Sequence, residues 1–327
     1  MKVLVTGATG LIGSHLVRRL LERGNEVRIL RRRDSSLDLL GDAAGAVEHA
    51  VGDLGDREAV YAATAGVQVV FHVAGAVGLA GKRYRDHLRA VNVHGTANVV
   101  DASLESRIGR LVHTSSIAAL GRPEADLVSL DETAEWIESS RNTEYARSKY
   151  EGELEVYRGV AEGLDAVVLN PSLVFGTGRD NENTMRIIRA VRDRSVPGVP
   201  VGGTNVVDVE DVVDGHLRAL SSGATGERYI LGSENLSWRS IIDTIAEGFG
   251  VRTQPRTLSP RVAIALASAF DLASLLPGVR PLITRESARQ TAATFLYDNT
   301  RARTELGCSF RPFAETIRRM ASVQSTR

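Results

Sequence analysis

Tyr145 and Lys149 stand four residues apart in the run Tyr-Ala-Arg-Ser-Lys. On a helix that spacing puts both side chains on one face, about one turn from each other. An ammonium beside a phenol favours the phenolate; bringing a tyrosine from ~10 toward ~7 takes roughly 4 kcal/mol of differential interaction, at about 1.36 kcal/mol per pKa unit. A phenol tuned in this way gives a proton to a carbonyl oxygen or takes one from an alcohol. Ser116 would supply a second hydrogen bond to the same oxygen, stabilising the charge that develops there, with the adjacent Ser115 as the alternative. A Tyr–Lys pair also occurs on many solvated helix faces, so the reading depends on the elements that would bring these residues together.

The first of those elements is the start of the chain. Val3, Leu4 and Val5 suit a buried strand, and Gly7, Gly10 and Gly13 follow at intervals of three before Leu16, Val17, Leu20 and Leu21 recur at helical spacing. Strand, glycine turn and helix make a phosphate cradle: Gly7 for the tight turn, Gly10 for close approach of a pyrophosphate, Gly13 for helix packing. Thr9, Leu11 and Ile12 lie within the same turn and join the expected cofactor contacts, because free N–H groups at a helix start face an anion.

Further along, strand and helix patterns alternate. The strand Glu26–Leu30 is followed by Arg31, Arg32 and Arg33, where arginine can clamp a 2′-phosphate and so favours NADP over NAD. A strand near Val47–Val51 leads to Asp53 and Leu54; Asp53 is expected either at the adenine amino group or as a helix cap before a helix at Arg57–Ala65. The strand Val67–Val73 ends in Ala74 and Gly75, small enough to let a cofactor lie against the backbone. One helix is expected over Asp86–Ser106, carrying Asn92, and a fifth strand over Arg110–Ser116, ending in Thr114, Ser115 and Ser116. The helix Thr143–Ala161 holds Tyr145 and Lys149. A sixth strand, Ala166–Leu169, runs into Asn170 and Pro171, and Val174 follows as another expected cofactor neighbour.

Beyond Gly176 the alternation becomes irregular, with helices near Asn183–Arg194, Asp211–Leu220 and Trp238–Gly248, a turn at Gly202-Gly203 and a strand at Arg228–Leu231. The expected fold is an α/β Rossmann-type doubly wound parallel sheet over 1–175 with a smaller, mostly helical substrate lobe over 176–327, across a soft boundary that the chain can recross. The apolar stretch Val262–Leu276 is too short to span a bilayer comfortably and reads as a buried or lid helix, with contact to a membrane surface as a second reading. Forty basic side chains balance forty acidic ones, so no overall field favours nucleic acid or a membrane surface. The single cysteine, Cys308, excludes an intrachain disulfide and any cysteine-based metal cluster; no metal is expected. With no signal-peptide pattern ahead of the first strand, a cytoplasmic location is expected.

Several segments together resemble the extended short-chain dehydrogenase/reductase family. They are TGATGLIG (Thr6–Gly13), NVHGTANV (Asn92–Val99), the serine of HTSSIAALG, YARSK (Tyr145–Lys149), NPSLVFGTG (Asn170–Gly178) and DVEDVVDGH (Asp208–His216). The resemblance implies a bound nicotinamide dinucleotide, catalytic Tyr145 and Lys149, and a catalytic serine best matched by Ser116. It also implies that the lysine bonds the nicotinamide ribose, that backbone groups after Pro171 meet the carboxamide, and that homodimers form through the helices holding Asn92 and Tyr145.

Three departures separate the chain from sugar-nucleotide epimerases of that family. Arg31 replaces an aspartate, Asn170-Pro171 replaces Arg-Pro, and Gly203-Thr204-Asn205 lacks the arginine that holds a nucleotide diphosphate. The pattern is closer to the dihydroflavonol 4-reductase-like branch, which implies reduction of a ketone or aldehyde by NADPH, with NAD as the other possible cofactor. Alternatives are a sugar-nucleotide epimerase or dehydratase, and a non-catalytic dinucleotide-sensing protein.

Overall fold

The valine-rich runs of the first half become parallel strands because residues apolar on both faces can only be buried between two layers of helix. In the computed structural model, which describes residues 1–77, 82–179, 183–273 and 285–325, β1 (Lys2–Thr6) leads into α1 (Leu11–Glu22), β2 (Glu26–Arg31), β3 (Glu48–Val51), α2 (Arg57–Thr64) and β4 (Val69–His72). Then come α3 (Lys82–Arg89), a π turn at Ala90–His94, α4 (Gly95–Glu105), β5 (Arg110–Thr114), a 3-10 turn at Ile117–Leu120, the short β6 (Val128–Leu130), α5 (Glu144–Ala161) and β7 (Ala166–Pro171).

The remainder runs β8 (Leu173–Phe175), α6 (Asn183–Arg192), β9 (Val199–Pro200), β10 (Gly203–Asp208), α7 (Val209–Ser222), β11 (Arg228–Leu231), β12 (Glu234–Ser237), α8 (Trp238–Gly248) and β13 (Thr257–Leu258). It ends with α9 (Pro260–Ala273), α10 (Arg285–Ala292), β14 (Phe295–Tyr297), α11 (Thr300–Thr304) and α12 (Phe313–Ser325).

The main sheet among the described residues has seven strands in the order β3-β2-β1-β4-β5-β7-β11, all parallel, which is the doubly wound arrangement. Val3, Val5, Phe71, Val112, Val167 and Leu169 pack on one face against Leu16, Val17 and Leu217 of α1 and α7. Leu4, Val70, Leu111, Ala166 and Val168 pack on the other face against Val60, Val99, Val100 and Val156. A second core, with Phe175, Ile188, Ile241, Ile245, Phe313 and Ile317, builds the later lobe.

Three local expectations change. The helix expected over Asp86–Ser106 is interrupted by the π turn at Asn92, where Gly152 of α5 packs so close that a Cβ there would lie 2.4 Å from the Asn92 carbonyl oxygen. The fifth strand stops at Thr114, because Ser116 has already turned to cap the 3-10 helix. Gly203 starts a strand rather than a turn, pairing with β12 and β8. Residues 209–231 recross position 176, since α7 packs on α1 and β11 extends the main sheet beside β7.

The acidic side chains of the Asp208–His216 segment serve this return. Asp208 caps α7 on the Glu210 N–H at 2.8 Å and takes both oxygens to Arg319 at 2.7 Å; Asp211 meets Arg311 at 2.7 Å; Glu210 meets His15 at 2.5 Å and Arg19 at 2.8 Å. In the apolar stretch, α9 buries Ala263 and Ala267 against Ala288 of α10 and leaves Val262 exposed; residues 274–276 lie outside the described residues. No helix among the described residues is long and apolar enough to cross a membrane.

Candidate active site

The glycine turn connects β1 to α1 at the carboxyl edge of the sheet. Gly7 has φ +70°, and a Cβ on it would come 2.5 Å from the Ala74 nitrogen; a Cβ on Gly13 would come 2.2 Å from the Gly7 oxygen. Gly13 therefore lets α1 close on the turn itself, and Gly7 lets the turn close on the end of β4. Gly10 differs: its Cβ would meet only the Gly7 oxygen, at 3.4 Å, so its other side is open. It stands as the N-cap of α1, yet no side chain caps the helix and its first turn holds no acidic residue. Amide donors and a positive helix end are left for an anion, which fits the diphosphate of a dinucleotide.

Lys149 is buried, and its Nζ donates to the Thr114 carbonyl at 2.9 Å. Gly75 closes over it: a Cβ on Gly75 would lie 2.9 Å from Nζ. Burial pulls the ammonium pKa down to about 8, partly offset by the charge of Glu153 one turn further along α5. The Tyr145 phenol lies beside Ser116, whose hydroxyl bonds to it and acts against a burial effect that pushes the phenol above its usual value. The expected direct depression of Tyr145 by Lys149 is thus not what this structure contains. The lysine reaches past the phenol to the end of β5, and Ser116 and Arg122 are the groups that lower the Tyr145 pKa. Ser115 points the other way, beside the Glu153 carboxyl, so Ser116 is the serine brought to the tyrosine.

Behind these residues lies a polar network that sequence reasoning missed. Glu153 is fully buried on α5; Asn170 Nδ2 donates to its Oε1 at 2.6 Å and to the Ser116 carbonyl at 2.9 Å, while Arg228 Nη1 donates to Oε2 at 3.4 Å. The departure at Asn170 thereby acquires a role: a neutral fork ties the serine loop to the helix carrying Tyr145, and β11 supplies the cation. The signal in the sequence was Lys-x-x-x-Glu, one further helical turn on the Tyr145 face. Glu153→Gln is expected to move the alkaline limb of the kcat/KM pH profile to lower pH, because the charge that raises the Lys149 pKa is removed. Cofactor affinity should stay within about threefold, since Glu153 sits behind the sheet edge and a threefold change is only about 0.7 kcal/mol. An unmoved limb would show that Glu153 is only a packing residue.

The hydroxyls of Thr6 and Thr114 are turned inward. Thr6 meets His72 at 2.7 Å and accepts from the Ala74 N–H at 3.2 Å, and Thr114 meets His216 at 2.7 Å. Burial holds His72 at about 3 and His216 at about 4, so both are neutral at pH 7 and act as rigid struts.

The other expected contacts divide. Thr9, Leu11 and Ile12 stand in the cradle, and Val73 and Ala74 line its far side, with the Val73 N–H on the Thr6 carbonyl at 3.3 Å. Asn92 has its amide wholly engaged by the protein, with Ala76 N–H at 2.7 Å, Ala76 O at 3.0 Å and Ser148 Oγ at 2.9 Å, so it shapes the loop after Gly75. Asp53 accepts from the Gly55 N–H at 2.9 Å; the cap of α2 is Asp56, which removes the capping role considered for Asp53. Leu54 is buried in the second face of the sheet core, packed on Gly95. Pro171 ends β7 opposite Leu231, and Val174 in β8 packs on the first face.

Arg31 leans on His49 Nδ1 at 2.8 Å and on the Arg32 and Arg33 carbonyls, whereas Arg32 is exposed with only a distant pairing to Asp34 at 3.8 Å. Arg179, absent from the sequence expectations, spans from the Thr9 carbonyl at 2.8 Å to the Ser36 carbonyl at 3.0 Å, joining the glycine turn to the loop after β2.

Comparison with known proteins matches residues 3–232 to the NAD dependent epimerase/dehydratase family. A Synechocystis sp. protein provisionally named a dihydroflavonol 4-reductase is 34% identical over 93% of this chain and 88% of its own length. The 2-alkyl-3-oxoalkanoate reductase of Stenotrophomonas maltophilia is 30% identical over 94% of each chain. Among solved structures, that of gox2253 superposes with a TM-score of 0.84 at 32% identity, covering 99% of this chain and 98% of the other. A dTDP-glucose 4,6-dehydratase from Streptomyces venezuelae with NAD and TYD bound shares the fold, with a TM-score of 0.79 at 21% identity over 100% of this chain and 98% of the other.

Proposed function

Because this chain belongs to the NAD-dependent epimerase/dehydratase family and is an NAD(P)-dependent oxidoreductase of the extended short-chain dehydrogenase/reductase type, we propose that it reduces a ketone or aldehyde with NADPH. The observation that carries the proposal is the pairing of Tyr145 with Ser116 beside a buried Lys149, at the sheet edge where the glycine turn opens. When bound, the dinucleotide supplies a hydride. Gly7, Gly10 and Gly13 would hold its diphosphate, and Lys149, Gly75 and Thr114 stand where the reactive half would be oriented.

Ser116 and Tyr145 together present two hydroxyls to one carbonyl oxygen. Tyr145 then gives its proton as charge develops there, while Ser116 keeps a hydrogen bond to the same oxygen. A phenol held protonated by burial suits the reducing direction, since the proton is in place before the carbonyl arrives. The ammonium of Lys149, held on the Thr114 carbonyl, keeps positive charge near the site.

Support for a reductase over an epimerase comes from β10, where Gly203, Thr204 and Asn205 bring no cation and the Asn205 Nδ2 donates to Asn235 Oδ1 at 3.0 Å. Mass spectrometry of the purified protein tests this: a site that fills only on addition of NADPH supports the reductase, and tightly retained NAD points to the epimerase. A panel of ketones and aldehydes followed by NADPH absorbance then measures turnover.

For cofactor choice, Arg31→Asp combined with Arg32→Ala is expected to weaken NADPH by at least about tenfold, near 1.4 kcal/mol. NADH should change by no more than about threefold, because it lacks the 2′-phosphate that arginine would clamp. Equal losses for both cofactors, measured by fluorescence titration, would make the arginines bystanders. The dimer we propose pairs α4 and α5 with their copies; Leu154, 47% exposed on α5, is available to such an interface.

A further inference from the structure

The segment after β8 lies along the start of α1. A Cβ on Gly176 would come 3.4 Å from Leu11 Cδ1, and the Thr177 carbonyl oxygen is 3.4 Å from His15 Nε2. Arg179 follows directly and reaches back to the glycine turn. Its Nη1 donates to the Thr9 carbonyl at 2.8 Å and its Nη2 to the Ser36 carbonyl at 3.0 Å, so one planar fork bridges the turn to the loop after β2, a span that the single ammonium of a lysine does not match. Thr9 is the residue before Gly10, the N-cap of α1, which no side chain caps.

The guanidinium is therefore bonded one residue ahead of a helix start whose first turn holds no acidic side chain. Amide dipoles there supply only a partial positive charge, whereas the diphosphate of a dinucleotide carries a negative charge on each phosphate. A guanidinium beside them adds a full cation in hydrogen-bonding form. The 2′-phosphate is the competing anion, but the chain around Arg179 is anchored on Leu11 and His15, at the diphosphate end of the groove. We propose that Arg179 is a binding residue for the diphosphate of the dinucleotide, donating to its phosphate oxygens from the bridge between Thr9 and Ser36. The inference rests on the glycine turn being the diphosphate site and adds a cation to it from more than 160 residues away in sequence.

The test uses binding alone. The ligand-free full chain is titrated with NADP and with NAD, following heat of binding. Arg179→Gln is expected to weaken both by at least about tenfold, a difference of about 1.4 kcal/mol, with the ratio of the two affinities kept to within about twofold. Arg179→Lys should stay within about threefold of the unaltered protein, because a point charge still serves a phosphate although the fork is lost. Equal losses in the two variants would make the bridge a structural tie and overturn the proposal. A loss confined to NADP, which would put the guanidinium at the 2′-phosphate, overturns it too, as does no loss at all. Failure of the glycine-turn reading appears separately, in Gly10→Asp. There a carboxylate caps α1 and repels a diphosphate, so cofactor affinity within about threefold of the unaltered protein would remove the site on which the inference stands.

Discussion

Tyr145→Phe is expected to lower kcat for carbonyl reduction by about 10³-fold, within the 10²–10⁴ range that a positioned general acid contributes. The substitution removes one hydroxyl and keeps the ring, so the packing around α5 persists. The atom lost is the one that Ser116 bonds and the one that burial keeps protonated. With no comparable donor next to Ser116, the developing alkoxide must take its proton from water. Affinity for NADPH should stay within about threefold, under about 0.7 kcal/mol, because the cradle of Gly7, Gly10 and Gly13 and the Lys149 bond to Thr114 are untouched. Stopped-flow absorbance gives the rate and fluorescence titration the affinity; a rate within threefold of the unaltered enzyme would refute Tyr145 as the acid.

Lys149→Met is expected to do two opposite things. Activity should fall by at least about 10²-fold, since the site loses the cation that, on the proposed function, orients the reactive half of the cofactor. The ligand-free protein should nevertheless become more stable. A lysine whose pKa falls from 10.5 unfolded to about 8 folded is penalised at neutral pH by about 3 kcal/mol, at about 1.36 kcal/mol per unit.

The sign follows from proton uptake. Between about pH 8 and 10.5 the unfolded chain binds more protons at this side chain than the folded one, so its contribution to stability rises with pH across that window and is least favourable below it. Loss of the bond to Thr114 gives back about 1 kcal/mol, leaving a net gain of about 2 kcal/mol at pH 7. Urea unfolding at pH 7 and pH 10 reads both: Lys149→Met should exceed the unaltered protein at pH 7, and the gap should narrow at pH 10. A variant less stable at pH 7 would show that the lysine is a structural cross-link. Such a cost at a functional position is the usual trade between stability and activity.

Both predictions depend on contacts that were unevenly visible beforehand. The strands, α1 and α5 were legible because period-two and period-3.6 apolar patterns are local, and a strand buried on both faces needs a continuous apolar run. The glycine turn was legible because Gly7 and Gly13 leave no room for a Cβ, a constraint that each residue carries by itself. Short strands such as β6 and β14 were not, since each has three residues and acquires meaning only by pairing with the other across more than half the chain. The π turn at Asn92 was likewise hidden: nothing in Ala90–His94 breaks a helix, and it is the approach of Gly152 and the clamp on Ala76 that go with the extra residue.

By itself, then, the sequence determined the parallel sheet, the glycine turn and the presence of Tyr145 and Lys149 on one helical face, because spacing and backbone tolerance are properties of neighbours along the chain. Only the tertiary structure decided what those side chains meet. Lys149 goes to the Thr114 carbonyl rather than the phenol, Ser116 rather than Ser115 faces Tyr145, Glu153 is buried behind them, and Arg122 and Arg179 arrive from loops with no pattern of their own. The reason is physical. A side chain's partner and pKa are set by whatever else is packed within a few ångströms, and here those neighbours come from β5, β7, β11 and the later lobe, far away in sequence.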